Sequence, residues 1–255
     1  MLKCRSCGHQ TSVTAGTVLH RSKVPLETWF WAAYLVTTHT PGFSALQLQR
    51  QLGLTRYETA WAMLQKLRRA MVRPERDRIS GAVEVDETYV GGLEEGRRGG
   101  RLRDSSKSIV VAAVEIRGRG TGRIRLAVVQ DLSADSLVSF VESAVEPGSI
   151  VLSDGWQGYK RLHKYYDHRP TTQGDPSNAA KLLPRVHRTF SNLKTWLSGT
   201  HHGVSSKHLP HYINEFVFRF NRRQTPMAAF QSLLGLTARH EPTTYQMLYR
   251  GESTG

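Results

Sequence analysis

The chain has 255 residues, with 35 Lys and Arg against 21 Asp and Glu, a formal net charge of +14. A hydrophobic fraction of 39% excludes wholesale disorder, and no run of about 18 apolar residues is present to span a membrane. Two cysteines are too few for a disulfide framework and fit a reducing cytoplasm, while the charge favours a polyanionic partner bound in a salt-sensitive way.

The excess of charge is uneven. Residues 1–80 hold 12 basic and 4 acidic side chains, so the front of the chain has the density expected of a DNA-docking element. It starts Met-Leu-Lys-Cys-Arg-Ser-Cys, polar and basic, without the apolar core of a signal peptide. Cys4 and Cys7 form one Cys-x-x-Cys turn, followed by short β-branched segments from Thr11 to Leu19. Such a turn presents two thiolates, whereas a structural zinc site needs four ligands. His9 and His20 lie nearby, though not at the spacing of a Cys₂His₂ site.

Residues 25–40 read as a helix, with Leu26, Trp29, Phe30, Ala33, Tyr34 and Val36 at helical spacing. Thr40-Pro41-Gly42 ends it. A short helix capped by Ser44, a turn at Gly53 and a second helix started by Thr55 make a helix-turn-helix pattern. In that second helix Ala60, Met63, Leu64 and Leu67 form the apolar stripe, and Arg56, Lys66, Arg68 and Arg69 lie off it as candidate DNA contacts.

Residues 73–80, Pro-containing and polar, read as a linker. After it the periodicity changes from helical to alternating. Strands are expected at Ala82 to Asp86 with Val90, at Ser108 to Ile116 and at Arg123 to Gln130. Between the first two, Gly91 to Lys107 is rich in Gly and Arg and reads as a mobile, DNA-facing loop. An amphipathic helix follows from Ser133 to Val145, with Leu137, Phe140, Val141 and Ala144 inward, and then a strand from Ser149 to Ser153 ending on Asp154. Helices are expected from Pro184 to Leu197, from Ser206 to Arg222 and over 227–237. Three antiparallel strands, a crossover helix and a further strand before more helices fit a ribonuclease-H-type α/β domain.

Two acids stand out. Asp86 lies within an otherwise apolar strand, where a carboxylate is costly unless exposed, paired or bound to metal. Asp154 falls where a strand ends. Alternation puts Glu84 and Asp86 on one face of the first strand and Val83, Val85 and Glu87 on the other. Phosphoryl transfer between DNA strands uses two divalent ions held by acids from different strands, so the order of these two suits that chemistry.

Three segments make the likeness specific. Val83-Glu-Val-Asp-Glu-Thr-Tyr-Val-Gly-Gly92, Ser153-Asp-Gly-Trp-Gln-Gly-Tyr159 and His208-Leu-x-x-Tyr-x-x-Glu-Phe-x-Phe-Arg-x-Asn221 resemble the IS1595-family transposases with an ISXO2-like catalytic domain. The front end, with Cys4-Arg-Ser-Cys-Gly and Gly16-Thr-Val-Leu-His, is also similar. The resemblance spans residues 3–224. It implies a ribonuclease-H-like mixed sheet with flanking helices, preceded by a small helical module. It further implies cleavage of transposon ends and transfer of the 3′-OH ends to target DNA with Mg²⁺ or Mn²⁺, by a homo-oligomer of at least two chains on its terminal inverted repeats.

The third ligand departs from the family pattern of an acid seven residues before a Lys or Arg. Lys194 fits the basic position, where it would contact phosphate, but residue 187 is His. Seven residues are about two helical turns, so His187 and Lys194 share a face, and an imidazole can ligate metal or move a proton. His187 is therefore the expected third active-site residue beside Asp86 and Asp154, with Asn192 and Glu215 as rivals. Trp156 and Trp196 read as packed aromatics rather than base-stacking platforms.

The family's front module resembles a zinc ribbon with two Cys-x-x-Cys turns. Only one is present, so Zn²⁺ at Cys4 and Cys7 stays open and the chain is expected to start inside the ribbon. The organisation expected is a ribbon remnant over 1–22, a helix-turn-helix module over 23–72, a linker over 73–80, a catalytic domain over 81–225 and a C-terminal helix and tail over 226–255. A domesticated copy that binds DNA without cutting it, and a structure-selective nuclease of the same fold, are the alternatives. No Walker-type phosphate loop occurs, so no ATP requirement is expected.

Overall fold

The computed structural model describes residues 2–73, 75–91, 107–171 and 182–250. The chain forms two compact units, residues 1–75 with 222–255 and residues 76–221.

In the first unit two short strands, β1 (Leu2–Lys3) and β2 (Gln10–Thr11), pair antiparallel around the cysteine turn. From there to residue 25 the chain runs in turns. Three helices follow: α1 (Leu26–Thr38), α2 (Ala45–Gln51) and α3 (Tyr57–Ala70). Ser44 closes a full capping box on α2, its hydroxyl accepting from the Gln47 amide while the Gln47 side chain accepts from the Ser44 amide. Gly53 turns the chain at φ +60, a left-handed value that glycine adopts without strain. α3 begins at Tyr57 rather than at Thr55, without a side-chain cap. Its stripe of Ala60, Met63, Leu64 and Leu67 is buried as expected.

In α1 the expected face is only partly right. Trp29, Ala33 and Val36 are buried, but Phe30 is 44% exposed and Ala32 and Leu35 take its place inside. Two further helices of the C-terminal segment complete this unit, with ranges Pro226–Arg239 and Tyr245–Arg250. The first packs on α1, where the Tyr34 and Phe230 rings meet edge to face at 5.6 Å. The Val18 amide donates to the Thr237 carbonyl.

The second unit is a five-stranded mixed sheet with helices on both faces. Its strands are β3 (Ala82–Val90), β4 (Ser108–Arg117), β5 (Gly120–Val129), β6 (Ile150–Asp154) and β7 (Asp167–Thr171), in the order β5-β4-β3-β6-β7. β3, β4 and β5 run antiparallel as a meander, β6 joins β3 in parallel, and β7 joins β6 in parallel. This is the ribonuclease-H-like arrangement expected from the order of elements. β7 and the 3-10 helix Gln157–Lys164 before it carry no alternating apolar signal and are additions to the expected set.

Alternation along the strands divides the core in two. On one face Val83, Val85, Val111, Ala113 and Val151 pack with α4 (Ala134–Ala144) and the 3-10 helix. On the other, Val90, Val110, Ala112, Val114, Ile124 and Leu126 pack with α5 (Pro184–His201) and α6 (Leu209–Asn221). Leu209, Ile213 and Phe216 of α6 face this core as expected. At the end of α6 the Asn221 amide accepts from the Ile124 amide at 2.8 Å and donates to its carbonyl at 3.1 Å. It thereby satisfies backbone groups on the outermost strand, β5, as a further strand would.

Candidate metal centre

The site lies where β3 and β6 run side by side. Their pairing aligns Glu84 with Leu152, which brings Asp86 and Asp154 level two residues further on and on the same face. β6 stops at Asp154, and the chain leaves the sheet through an Asx turn in which the Asp154 carboxylate accepts from the Trp156 amide at 3.1 Å. Beyond the carboxyl end of a parallel strand the sheet opens, the place where α/β folds bind ligands.

Three carboxylates converge here. Asp86, Glu87 and Asp154 each bring an oxygen to within 4.8 Å of the others, and among the described residues this is the one such cluster of metal-binding side chains. Asp86 is buried and the other two are half-buried. Like charges this close repel by several kcal/mol at low effective dielectric unless a cation or proton joins them. Three hard oxygen donors suit Mg²⁺ or Mn²⁺.

Glu87 is the member that sequence reasoning missed. Alternation put it on the far face of β3 from Asp86, and its partner there is Tyr159, whose buried hydroxyl donates to Glu87 Oε2 at 2.8 Å. The separation of faces holds within the sheet but not at its open end, where a glutamate can turn over the edge. Burial first, and then the charges of Glu87, Asp86 and Asp154, hold the Tyr159 phenol well above its usual range. It therefore stays a proton donor to Glu87.

α5 brings the remaining expected residues. His187 is partly exposed, with Nε2 at 3.6 Å from Asp86 Oδ2. Lys194 donates to the Thr88 hydroxyl at 2.8 Å, and burial followed by the charge of Lys107 holds its ammonium below the ordinary lysine range. A groove of about 840 Å³ runs on from Lys194, lined by Tyr89, Lys107, Leu197, His202 and Val204 among others. Of the two rivals for the third ligand, Asn192 is exposed on α5, and Glu215 is fully buried with Arg219 of its own helix 3.5 Å away. Trp156 packs against the α4 side of the core, and Trp196 is 7% exposed within the α5–α6 side.

In the helical unit Arg56 is exposed and Lys66 half-buried, whereas Arg68 and Arg69 are buried at 1% and 3% exposure. The expectation that the last two lie on an open surface of α3 is thus corrected. Long cationic side chains can bury their stems, and helical spacing alone does not show where another element covers them.

Cys4 and Cys7 are exposed and unbridged. The Gly8 amide bonds the Cys4 carbonyl at 3.1 Å and the Cys4 amide bonds the His9 carbonyl at 2.8 Å. Hydrogen bonds, the Ser6 side chain foremost, lower the Cys4 thiol to about 6. His20 Nδ1 accepts from the Gly16 amide at 3.3 Å. The DNA-facing loop expected over 91–107 lies, apart from its two ends, outside the described residues.

Residues 78–221 match the family described as the ISXO2-like transposase domain. No curated protein matches the chain. Among solved structures, an intasome of simian T-cell lymphotropic virus in complex with PP2A regulatory subunit B56 gamma is 12% identical, with 67% of each chain covered and a TM-score of 0.33. The Mos1 transposase paired-end complex with the left transposon end is 11% identical over 82% of this chain and 78% of that one, with a TM-score of 0.29. A pre-cleavage Mos1 transpososome is 10% identical over 78% and 75%, with a TM-score of 0.30.

Proposed function

The chain belongs to the ISXO2-like transposase family, and from that premise we propose that it cuts DNA at transposon ends and joins the freed 3′-OH ends to target DNA. The observation that carries this reading is the convergence of Asp86, Glu87 and Asp154 within 4.8 Å at the open end of the sheet. Divalent ions held there would activate the attacking oxygen and stabilise the leaving one.

The chain's own residues then have distinct tasks. Asp86 and Asp154, on adjacent strands, hold Mg²⁺ or Mn²⁺, and Glu87 supplies the third carboxylate, oriented by the Tyr159 hydroxyl. His187, beside Asp86, orients that carboxylate or carries a proton at Nε2. Lys194 places a positive charge on α5 near the same strand, where it would meet a phosphate of the bound DNA. Zn²⁺ at Cys4 and Cys7 would need ligands beyond this one turn.

DNA is the partner that a net charge of +14 favours. The α2–α3 pair of the first unit docks it, with Arg56 and Lys66 as contacts. Both transposon ends must be held together for joining, so at least two chains act on DNA, and the protein works in the cytoplasm.

The test is cleavage of labelled DNA carrying the terminal repeats that flank the gene, with Mg²⁺ or Mn²⁺. Wild type is expected to cut, and Asp86→Ala and Asp154→Ala to lose more than about 100-fold in rate. Binding without cleavage by wild type would refute the reading in favour of a DNA-binding protein. Cleavage of branched DNA without preference for those repeats would favour a structure-selective nuclease.

A further inference from the structure

α5 carries both His187 and Lys194, so the geometry of the site depends on where that helix starts. It starts at Pro184, in the first turn. The first amides of a helix have no acceptor within it. Here the amides of Arg185 and Val186 donate to one oxygen of Glu84, Oε2, at 2.7 and 2.9 Å. The Arg185 guanidinium donates to the other oxygen, Oε1, at 3.0 Å. The same guanidinium then reaches the β4–β5 turn, donating to the carbonyls of Gly120 at 2.9 Å and Gly118 at 2.8 Å.

Glu84 is 1% exposed. A buried carboxylate is costly unless its lone pairs are satisfied, and the three donors satisfy both oxygens. Negative charge at a helix N-terminus is also favourable in itself. Glu84, Asp86 and Thr88 are successive residues on one face of β3, spaced about 6.8 Å apart. They meet, in order, Arg185 with Val186, His187 and Lys194 of α5. The strand thus sets the register of the helix at three points, and at Glu84 it does so through three hydrogen bonds. One residue of slippage along α5 would rotate each side chain by about 100° and turn His187 away from Asp86.

We propose that Glu84 is a positioning residue of the carboxylate site. It locks the first turn of α5 to β3, and so holds His187 against Asp86 and Lys194 against Thr88. The proposal rests on the reading of that site as a DNA-cutting centre.

Amide hydrogen exchange tests the lock directly, because the Arg185 and Val186 amides both donate to Glu84. In the full-length wild type both amides are expected to be protected. In Glu84→Gln they should exchange about 10 to 100 times faster, while amides in the middle of β4 keep their protection. Repeat-end cleavage by the same variant should lose about tenfold or more in kcat with KM for DNA changed less than about twofold. A general loss of stability would raise exchange in β4 too and would not separate kcat from KM.

Unprotected Arg185 and Val186 amides in wild type would overturn the proposal. So would loss of their protection in Glu84→Gln with kcat unchanged. Protected amides in a wild type that cuts no DNA would overturn the nuclease reading and leave Glu84 a structural clamp, so the two failures are told apart. If Glu84→Gln does not fold, Arg185→Gln keeps both backbone bonds but removes the guanidinium from Glu84 Oε1 and from the Gly118 and Gly120 carbonyls. It should lower kcat with KM held, and unchanged kcat there overturns the proposal.

Discussion

The carboxylate cluster makes a prediction whose sign runs against ordinary expectation. Asp154→Asn retains an oxygen to accept from the Trp156 amide, so the Asx turn survives. What it removes is one of three negative charges lying within 4.8 Å of one another. At that distance a pair of unit charges repels by about 0.9 kcal/mol in water and about 3.5 kcal/mol at an effective dielectric near 20. For a half-buried group the relief is on the order of 1–2 kcal/mol, or about 2–6 °C in Tm for a protein of this size. Without metal, Asp154→Asn should therefore melt higher than wild type. With Mg²⁺ or Mn²⁺ at about 100 times Kd, wild type should gain about 2.7 kcal/mol and the variant much less, which reverses the order. Thermal unfolding by circular dichroism in EDTA and then in metal reads both shifts. A variant less stable than wild type in EDTA, with the metal shift intact, would show that Asp154 is a turn residue and not a metal ligand.

Two further outcomes follow from single contacts. Tyr159→Phe removes the buried hydroxyl that orients Glu87. It should cost about 1–2 kcal/mol of stability and weaken Mn²⁺ binding about 10-fold or more by calorimetry; unchanged affinity would remove Glu87 from the metal site. At the other end of the chain, hydrogen bonds led by Ser6 lower the Cys4 thiol from 9.0 to about 6. In a Cys7→Ser chain, which keeps the Ser6 bonds, the alkylation rate of Cys4 should therefore rise through a midpoint below the ordinary thiol range, because the reactive thiolate forms above that value. Ser6→Ala should move the midpoint upward, and a midpoint near 9 in both proteins would refute the effect of Ser6.

The strands of the sheet were legible wherever alternation and burial coincide, as in β3, β4 and β6 with their apolar faces against α4, α5 and α6. β7 was not. Its sequence, Asp-His-Arg-Pro-Thr, is mostly exposed at the edge of the sheet, so no apolar face marks it and only its pairing with β6 makes it a strand. α1 failed differently. Nearly all its faces are apolar, so spacing alone could not tell that Phe30 points out while Leu35 points in.

The candidate site shows the same division between local and distant information. Asp86 and Asp154 were legible because an acid in an apolar strand and an acid at a strand end are anomalies that one sequence window reveals. The seven-residue step from His187 to Lys194 was legible because a helix repeats on that scale, and the structure brings both to β3. Glu87 and Glu84 were not, for opposite reasons. The rule of alternation assigned Glu87 to the far face, and that rule lapses at the open end of the sheet. Glu84 was put on the right face, but its partners lie 101 and 102 residues away, at a helix start that no local pattern links to it. Because the residues that bind and the residue that positions alternate on one strand, a change at residue 84 and a change at residue 86 should both slow cleavage. On the proposed reading only the change at 86 removes a metal ligand, so Mn²⁺ affinity separates the two roles where rate alone does not.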